Sequence, residues 1–172
     1  MALSKITNGG VATSGLPAGS VLQVAQAVKS DTFSGAANTW HKITGLTQSI
    51  TPTSTSSKIF VSCQISTQDS NNYPPLFHIY RDGTKITPDG AGNPYTGNVT
   101  NAYAYMNGGT AVNAMVSMTI SFEFLDSPNT TSAVEYQVYG GKPSSAVSNL
   151  VINNANFGNA GSSVITLMEI AG

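Results

Sequence analysis

The sequence predicts an all-β fold made of antiparallel sheets packed face to face. Three observations predict it. Apolar residues recur at every second position in several segments, most plainly in Val116-Ser-Met118-Thr-Ile120-Ser-Phe122-Glu-Phe124, which is the period of a strand with one wet face. Such segments return at intervals of about a dozen residues with turn chemistry between them. No amphipathic helix of three turns is visible anywhere in the chain.

In chain order, residues 1–19 stand apart. Gly9, Gly10, Gly15, Pro17 and Gly19 interrupt every run, so this segment is a loose tail or an arm that orders on a partner. Residues 20–33 admit two readings. Val21, Val24, Ala25 and Val28 fit a helix capped by Ser20, whereas Leu22, Val24 and Val28 fit a strand, and Thr32, Phe33 and Gly35 favour the strand.

Residues 40–50 form the next predicted strand, closed by Thr51-Pro52 and a Ser/Thr-rich loop. Residues 58–67 follow, with Ile59, Val61, Cys63 and Ile65 on one face. Residues 76–80 and 84–86 flank Arg81-Asp82-Gly83, where Asp-Gly supplies the positive φ angles of a tight hairpin turn.

A polar excursion occupies residues 87–113, after which the Val116 strand leads through Asp126-Ser-Pro-Asn129 to Val134, Tyr136 and Val138, alternating with Glu135, Gln137 and Tyr139. These two segments are expected to pair as an antiparallel hairpin. Burying each large side chain contributes roughly 1.5–3 kcal/mol, so the inner face must pack on another sheet.

Residues 150–152 and 163–170 complete the set. The last strand is apolar on both sides, with Val164, Met168 and Ile170 on one and Ile165, Leu167 and Ala171 on the other, as expected at the centre of a sheet or at a subunit interface. The whole is an antiparallel jelly roll of about eight to ten strands spanning residues 20–172, preceded by the arm at 1–19.

The 172 residues make one domain, which buries about 70% of its unfolded surface. Only 9% of residues are charged, against about 25% in ordinary domains. With a net charge of −1 and no Lys/Arg cluster, binding to nucleic acid or to an anionic membrane lacks its driving term. The start, Met1-Ala-Leu-Ser-Lys5, has no apolar segment behind it, and no run approaches the roughly 20 residues of a membrane span, so synthesis and folding in a cytoplasm are expected.

Cys63 reads as a small core residue. His41 and His78 are the only histidines and have no partner at metal-ligand spacing, so neither a metal nor any other cofactor is expected. Asp82, Asp89 and Asp126 stand beside Gly or Ser-Pro and read as caps of their own turns. Glu123 and Glu135 fall on wet faces, leaving no carboxylate pair for acid–base work, and no nucleophile motif is present. Enzymatic activity is not expected. Asn98-Val-Thr100 and Asn129-Thr-Thr131 match the glycosylation pattern and read as chance matches in an Asn/Thr-rich chain.

One region carries binding chemistry. Tyr73, Tyr95, Tyr103 and Tyr105 are interleaved with Asn71, Asn72, Asp89, Asn93, Asn98 and Asn101, and flat rings beside amides suit sugar faces and hydroxyls. Candidate glycan contacts are Tyr73, Asp89, Asn93, Tyr95, Asn101, Tyr103 and Tyr105. The same residues also fit a long solvated loop or an intersubunit contact.

Several motifs resemble a known family. Gly15-Leu-Pro-Ala-Gly-Ser-Val-Leu-Gln-Val-Ala-Gln-Ala27, Asp31-Thr-Phe33, Ile43-Thr-Gly-Leu46 with Ile50-Thr-Pro52, Ser57-Lys-Ile59 and Ser163-Val-Ile-Thr-Leu-Met-Glu-Ile170 resemble small virion proteins and fibre domains of tailed bacteriophages. The resemblance runs from Gly15 to the end of the sequence, and its motifs are structural rather than catalytic.

It implies a tumour-necrosis-factor-like jelly roll that associates around a threefold axis. In that arrangement the Val21 segment is the first strand of the inner sheet, and Val21, Gln23, Ala25, Ile165, Leu167 and Met168 are candidate trimer contacts, with Gln26 nearby. Leu3, Ile6, Val11 and Leu16 are candidate attachment points to other virion proteins. The implied role is a fibre, spike or head decoration on the virion, made in the host cytoplasm. A receptor-binding lectin-like head that recognises host glycan is the alternative.

Overall fold

Strand follows strand, and no helix occurs among the described residues. The computed structural model describes residues 16–69, 75–87, 116–142, 149–154 and 161–172, with the backbone alone at 69 and 116–118. Among these residues ten strands run in order: β1 Val21–Lys29, β2 Phe33–Gly35, β3 His41–Ile50, β4 Lys58–Asp69, β5 Leu76–Arg81, β6 Thr84–Lys85, β7 Val116–Asp126, β8 Val134–Gly141, β9 Leu150–Ile152 and β10 Ser163–Ile170.

They form two antiparallel sheets. The first has the order β1-β10-β4-β9-β2, with β7 also paired to β4; the second has the order β3-β8-β5-β6. Strands β10 and β9 share one edge of β4, Ile170 lying opposite Lys58 and Ile152 opposite Thr67, while β7 lies along the other edge with Phe122 opposite Cys63.

The pairings nest by sequence: β5 with β6, β4 with β7, β3 with β8 and β1 with β10. Asp82 and Gly83 close the innermost pair with φ of 49° and 79°. Two successive positive φ angles match the twist of the flanking strands, which is why Asp-Gly occupies this turn.

The expected hairpin between the Val116 and Val134 segments does not form. β7 pairs with β4 in the first sheet, while β8 lies between β3 and β5 in the second. The chain crosses between sheets after Asp126. A hairpin would put Phe122 and Tyr136 side by side in one sheet; the crossing lets them enter the core from opposite sides. The same alternation serves either pairing, so periodicity alone does not distinguish them.

Ile59, Val61, Cys63, Ile65, Ile165 and Leu167 from the first sheet meet Ile43, Leu46, Phe77, Ile79, Tyr136 and Val138 from the second, all essentially inaccessible to water. The Phe77 and Phe122 rings stack across the gap with centroids 6.1 Å apart. Burial pushes the Cys63 thiol well above its ordinary range, as fits a core residue.

The 20–33 segment resolves as a strand: Ala25 and Ala27 pack against the core while Val24, Gln26 and Val28 are exposed. At Gly140 and Gly141 the close approach of neighbours requires glycine. A Cβ on the first would lie 2.9 Å from Leu150 and Phe77 in the core, and one on the second 3.0 Å from Trp40.

Asn153, fully buried at the end of β9, ties the first sheet together. Its Nδ2 donates to the carbonyls of Lys29 (2.8 Å) and Asp31 (3.3 Å), and its Oδ1 accepts from Ser163 Oγ (2.7 Å). Its backbone N–H donates to Ser66 O at 2.9 Å, and its carbonyl accepts from Thr32 Oγ1 at 2.8 Å. One amide thus joins β4, β10 and the β1–β2 edge where β9 gives way to β10.

Candidate functional site

The outward face of the first sheet carries an apolar row. Strand register sets Val24 beside Met168, Met168 beside Phe60 and Phe60 beside Leu125, so one line of apolar side chains crosses four strands. Val21 and Ile170 pair next to it towards the strand ends. Val21, Val24, Val28 and Leu125, 50–61% exposed, are the exposed large hydrophobics of the described residues, and all four lie on this face. The adjacent row is polar: Gln26, Thr166, Ser62 and Glu123, with Gln26 Nε2 donating to Thr166 Oγ1 at 3.0 Å.

A buried carboxylate anchors the end of this sheet. Glu169 turns inward from β10; Oε1 accepts from the N–H and Oγ1 of Thr53, both at 2.7 Å, and Oε2 accepts from Gln23 Nε2 at 2.6 Å. Burial opposes its ionisation, but the donors gathered around it prevail and hold the carboxyl below the ordinary 4.5. Gln23 is thereby fixed where the β1–β10 register shifts between Val21 and Gln23.

The outward face of the second sheet is of a different kind. Tyr80 and Tyr139 stack with centroids 3.9 Å apart, and Trp40 lies over His78 at 4.5 Å. Register places Lys42 beside Tyr139 and Gln137 beside Tyr80. Lys42 Nζ donates to Glu135 Oε1 at 3.3 Å, and Gln137 Nε2 donates to the same oxygen. The Gln137 and Lys42 donors hold the Glu135 carboxyl below its ordinary value. Among the described residues, the rows of Tyr80 and Tyr139 hold no aliphatic side chain, and Leu76, opposite Gly141, is the next residue of β5 in the same phase.

Between the sheets, Asp126 Oδ2 accepts from Arg81 Nη1 at 2.6 Å and from Tyr136 OH at 2.7 Å, pinning the end of β7 to β5 and β8. Asp126 is therefore an inter-sheet clamp, not a cap of its own turn, because the crossing chain buries it. Asp82 also differs from expectation: its Oδ1 accepts from Glu135 N across the strands at 2.9 Å. Burial, reinforced by the Asp126 bond, raises the Tyr136 phenol above its ordinary range. His78 is buried with Nδ1 2.9 Å from Thr87 Oγ1, a packed imidazole rather than an open ligand.

Of the predicted trimer contacts, Val21 and Met168 stand on the outward face, whereas Gln23 is tied to Glu169 and Ala25 packs inward. Ile165 and Leu167 are fully buried between the two sheets of the chain itself, with no surface left for another chain. Leu16 is half-buried. Tyr73, Asp89, Asn93, Tyr95, Asn101, Tyr103, Tyr105, Leu3, Ile6 and Val11 lie outside the described residues. Among the described residues no group of His, Cys, Asp and Glu is arranged to hold a metal ion.

The pattern reading missed Phe60 and Leu125, although a signal existed. Each stands in the wet phase of its strand, Phe60 with Ser62 and Gln64, Leu125 with Ser121 and Glu123. Comparison with protein-family models and with curated proteins finds no match.

Proposed function

We propose that the chain is a homotrimeric structural protein of a tailed bacteriophage virion, a jelly-roll appendage that serves as fibre, spike or head decoration. The observation that carries self-association is the gathering of Val21, Val24, Val28 and Leu125 on one sheet face, in line with the half-buried Phe60 and Met168. Apolar patches of this kind on small soluble domains mark contacts with other chains. Two-sheet packing with nested pairs, β5·β6 inside β4·β7, β3·β8 and β1·β10, supports the jelly roll, in which a long hairpin rolls into two sheets. Threefold symmetry and the particle surface rest on the resemblance carried by residues 15–59 and 163–170.

The N-terminal arm attaches the domain to other virion proteins. Gly19 N donates to Ala171 O at 2.7 Å and Ala171 N to Ser20 O at 2.8 Å, so the chain enters the sandwich beside the apolar row. Three copies meeting on that row bring three arms to one end of the assembly.

Light scattering at low micromolar concentration tests the reading, with an expected mass of three protomers; a clean monomer overturns it. Removing residues 1–18 is expected to leave a trimer that no longer joins particles. Normal incorporation of the truncated chain would refute attachment through the arm.

A further inference from the structure

The second sheet's outward face carries chemistry that self-association does not use. Alternation on β5 and β8 sends Phe77, Ile79, Tyr136 and Val138 into the core and turns Tyr80 and Tyr139 outward, where both remain partly exposed. The single Trp of the chain lies on His78, the register partner of Tyr139, in space left because Gly141 offers no Cβ. Bordering the tyrosine pair is a hydrogen-bonded chain of Lys42, Glu135 and Gln137; Lys42 and Glu135 are each more than two-fifths exposed at the side chain, whereas Gln137 is buried and holds Glu135 from below.

We infer that this face is a saccharide platform, with Tyr80, Tyr139 and Trp40 meeting the C–H face of a neutral sugar and Lys42 and Glu135, the latter held in place by the buried Gln137, meeting its hydroxyls. A sugar ring has one apolar side and a rim of donors and acceptors. The platform presents the complement: partly exposed aromatic rings with a carboxylate and an ammonium along one border.

The charge balance selects the ligand class. Lys42 is paired with Glu135 at 3.3 Å, so this border offers no net charge to an anionic glycan or a phosphate, and Lys85, opposite Tyr80 in register, has an interaction of its own. None of Tyr73, Tyr95, Tyr103 and Tyr105 is among the platform residues, and the inference needs neither the threefold assembly nor the particle location proposed above.

The test applies the full-length chain to an array of immobilised neutral oligosaccharides with gluco-, galacto- and manno-configured ends, beside sialylated and sulfated ones. Bound compounds are then titrated against Trp40 fluorescence, which reports from the platform itself. Neutral saccharides are expected to bind, Tyr139→Ala to weaken them about five-fold or more, and Tyr139→Phe to retain most of the affinity. Glu135→Gln, at a half-exposed position, provides a second variant that leaves packing intact and is also expected to weaken binding.

The double variant Val24→Asp/Leu125→Asp should bind sugar as the parent does, which separates failure of this inference from failure of the trimer. An array without neutral hits overturns the proposal, as does binding to sulfated or sialylated glycans alone. Affinity unchanged in both Tyr139→Ala and Glu135→Gln places the sugar elsewhere and overturns it too. A change of native mass in Tyr80→Ala or Tyr139→Ala would make the occupant another copy of the chain, with the same consequence.

Discussion

The two sheets share one core but present opposite outer surfaces. On the first, Val24, Met168, Phe60 and Leu125 form an aliphatic and phenyl row at the level where β1 and β10 begin and end; on the second, Tyr80, Tyr139 and Trp40 sit among Lys42, Glu135 and Gln137. Both inner faces have the same character, chiefly Ile, Val, Leu and Phe. The difference lies wholly in the outward phase of each strand. In a sandwich the inward phase specifies the fold, and departures from polarity in the outward phase mark where other molecules are met.

The harshest way to break the contrast is to charge the apolar row. Val24→Asp with Leu125→Asp is expected to turn a trimer into a folded monomer, a threefold fall in mass by light scattering with unchanged far-ultraviolet circular dichroism. A variant of parental mass would show that the two faces do not differ in this function.

Next in size is Asn153→Ala, which strands the carbonyls of Lys29 and Asp31 and the Ser163 hydroxyl. It is expected to cost about 2–3 kcal/mol in denaturant unfolding. The loss should appear first as faster hydrogen exchange along β1, at the edge of the first sheet, while the second sheet keeps its protection.

Acid sharpens the comparison further. Glu169 in the first sheet and Glu135 in the second both have carboxyls held below 4.5 in the fold, so the unfolded chain takes up those protons at higher pH than the folded one. Their contribution is complete above pH 4.5 and drains as pH falls through that value towards the lower folded ones. Denaturant midpoints measured from pH 7 to 3 should fall with acid. Glu169→Gln should flatten this fall more than Glu135→Gln, because only Glu169 is sealed from water.

Smallest is Tyr139→Ala, which removes one ring from an outward stack. A loss of about 0.5–1.5 kcal/mol in thermal or chemical unfolding is expected, with native mass unchanged.

The inward phase was legible in the sequence because it obeys one rule. Ile59, Val61, Cys63 and Ile65 announce β4, Asp82-Gly83 announces the β5–β6 turn, and the two-sided 163–170 segment lies between β1 and β4 as a central strand must. Pairing was less legible. The link from Asp126 to Val134 suits a hairpin loop as well as a crossing between sheets, and only the partners waiting on β4 and on β3 and β5 decide between them.

Long-range polar anchors were not legible at all. Asn153 meets Lys29 and Asp31, Asp126 meets Arg81, and Glu169 meets Gln23 and Thr53, at separations that no local pattern encodes. The outward rows fell between these cases. Phe60, Leu125, Tyr80 and Tyr139 break the wet phase visibly, but their alignment depends on register.

The nested pairing also sets an order of events. The Asp82-Gly83 turn joins strands that are neighbours in sequence, whereas Gln23 and Glu169 meet across 146 residues. Contacts between distant segments bear the largest loop-closure entropy and form late, so the fold is expected to zip outward from β5–β6 and to finish at β1–β10. On the ribosome β1 must wait, unpaired, until β10 has emerged. The apolar row straddles that last pair, so a nascent chain without β10 does not yet possess the surface proposed for self-association. Emergence of β10, rather than a separate signal, is then what completes that row.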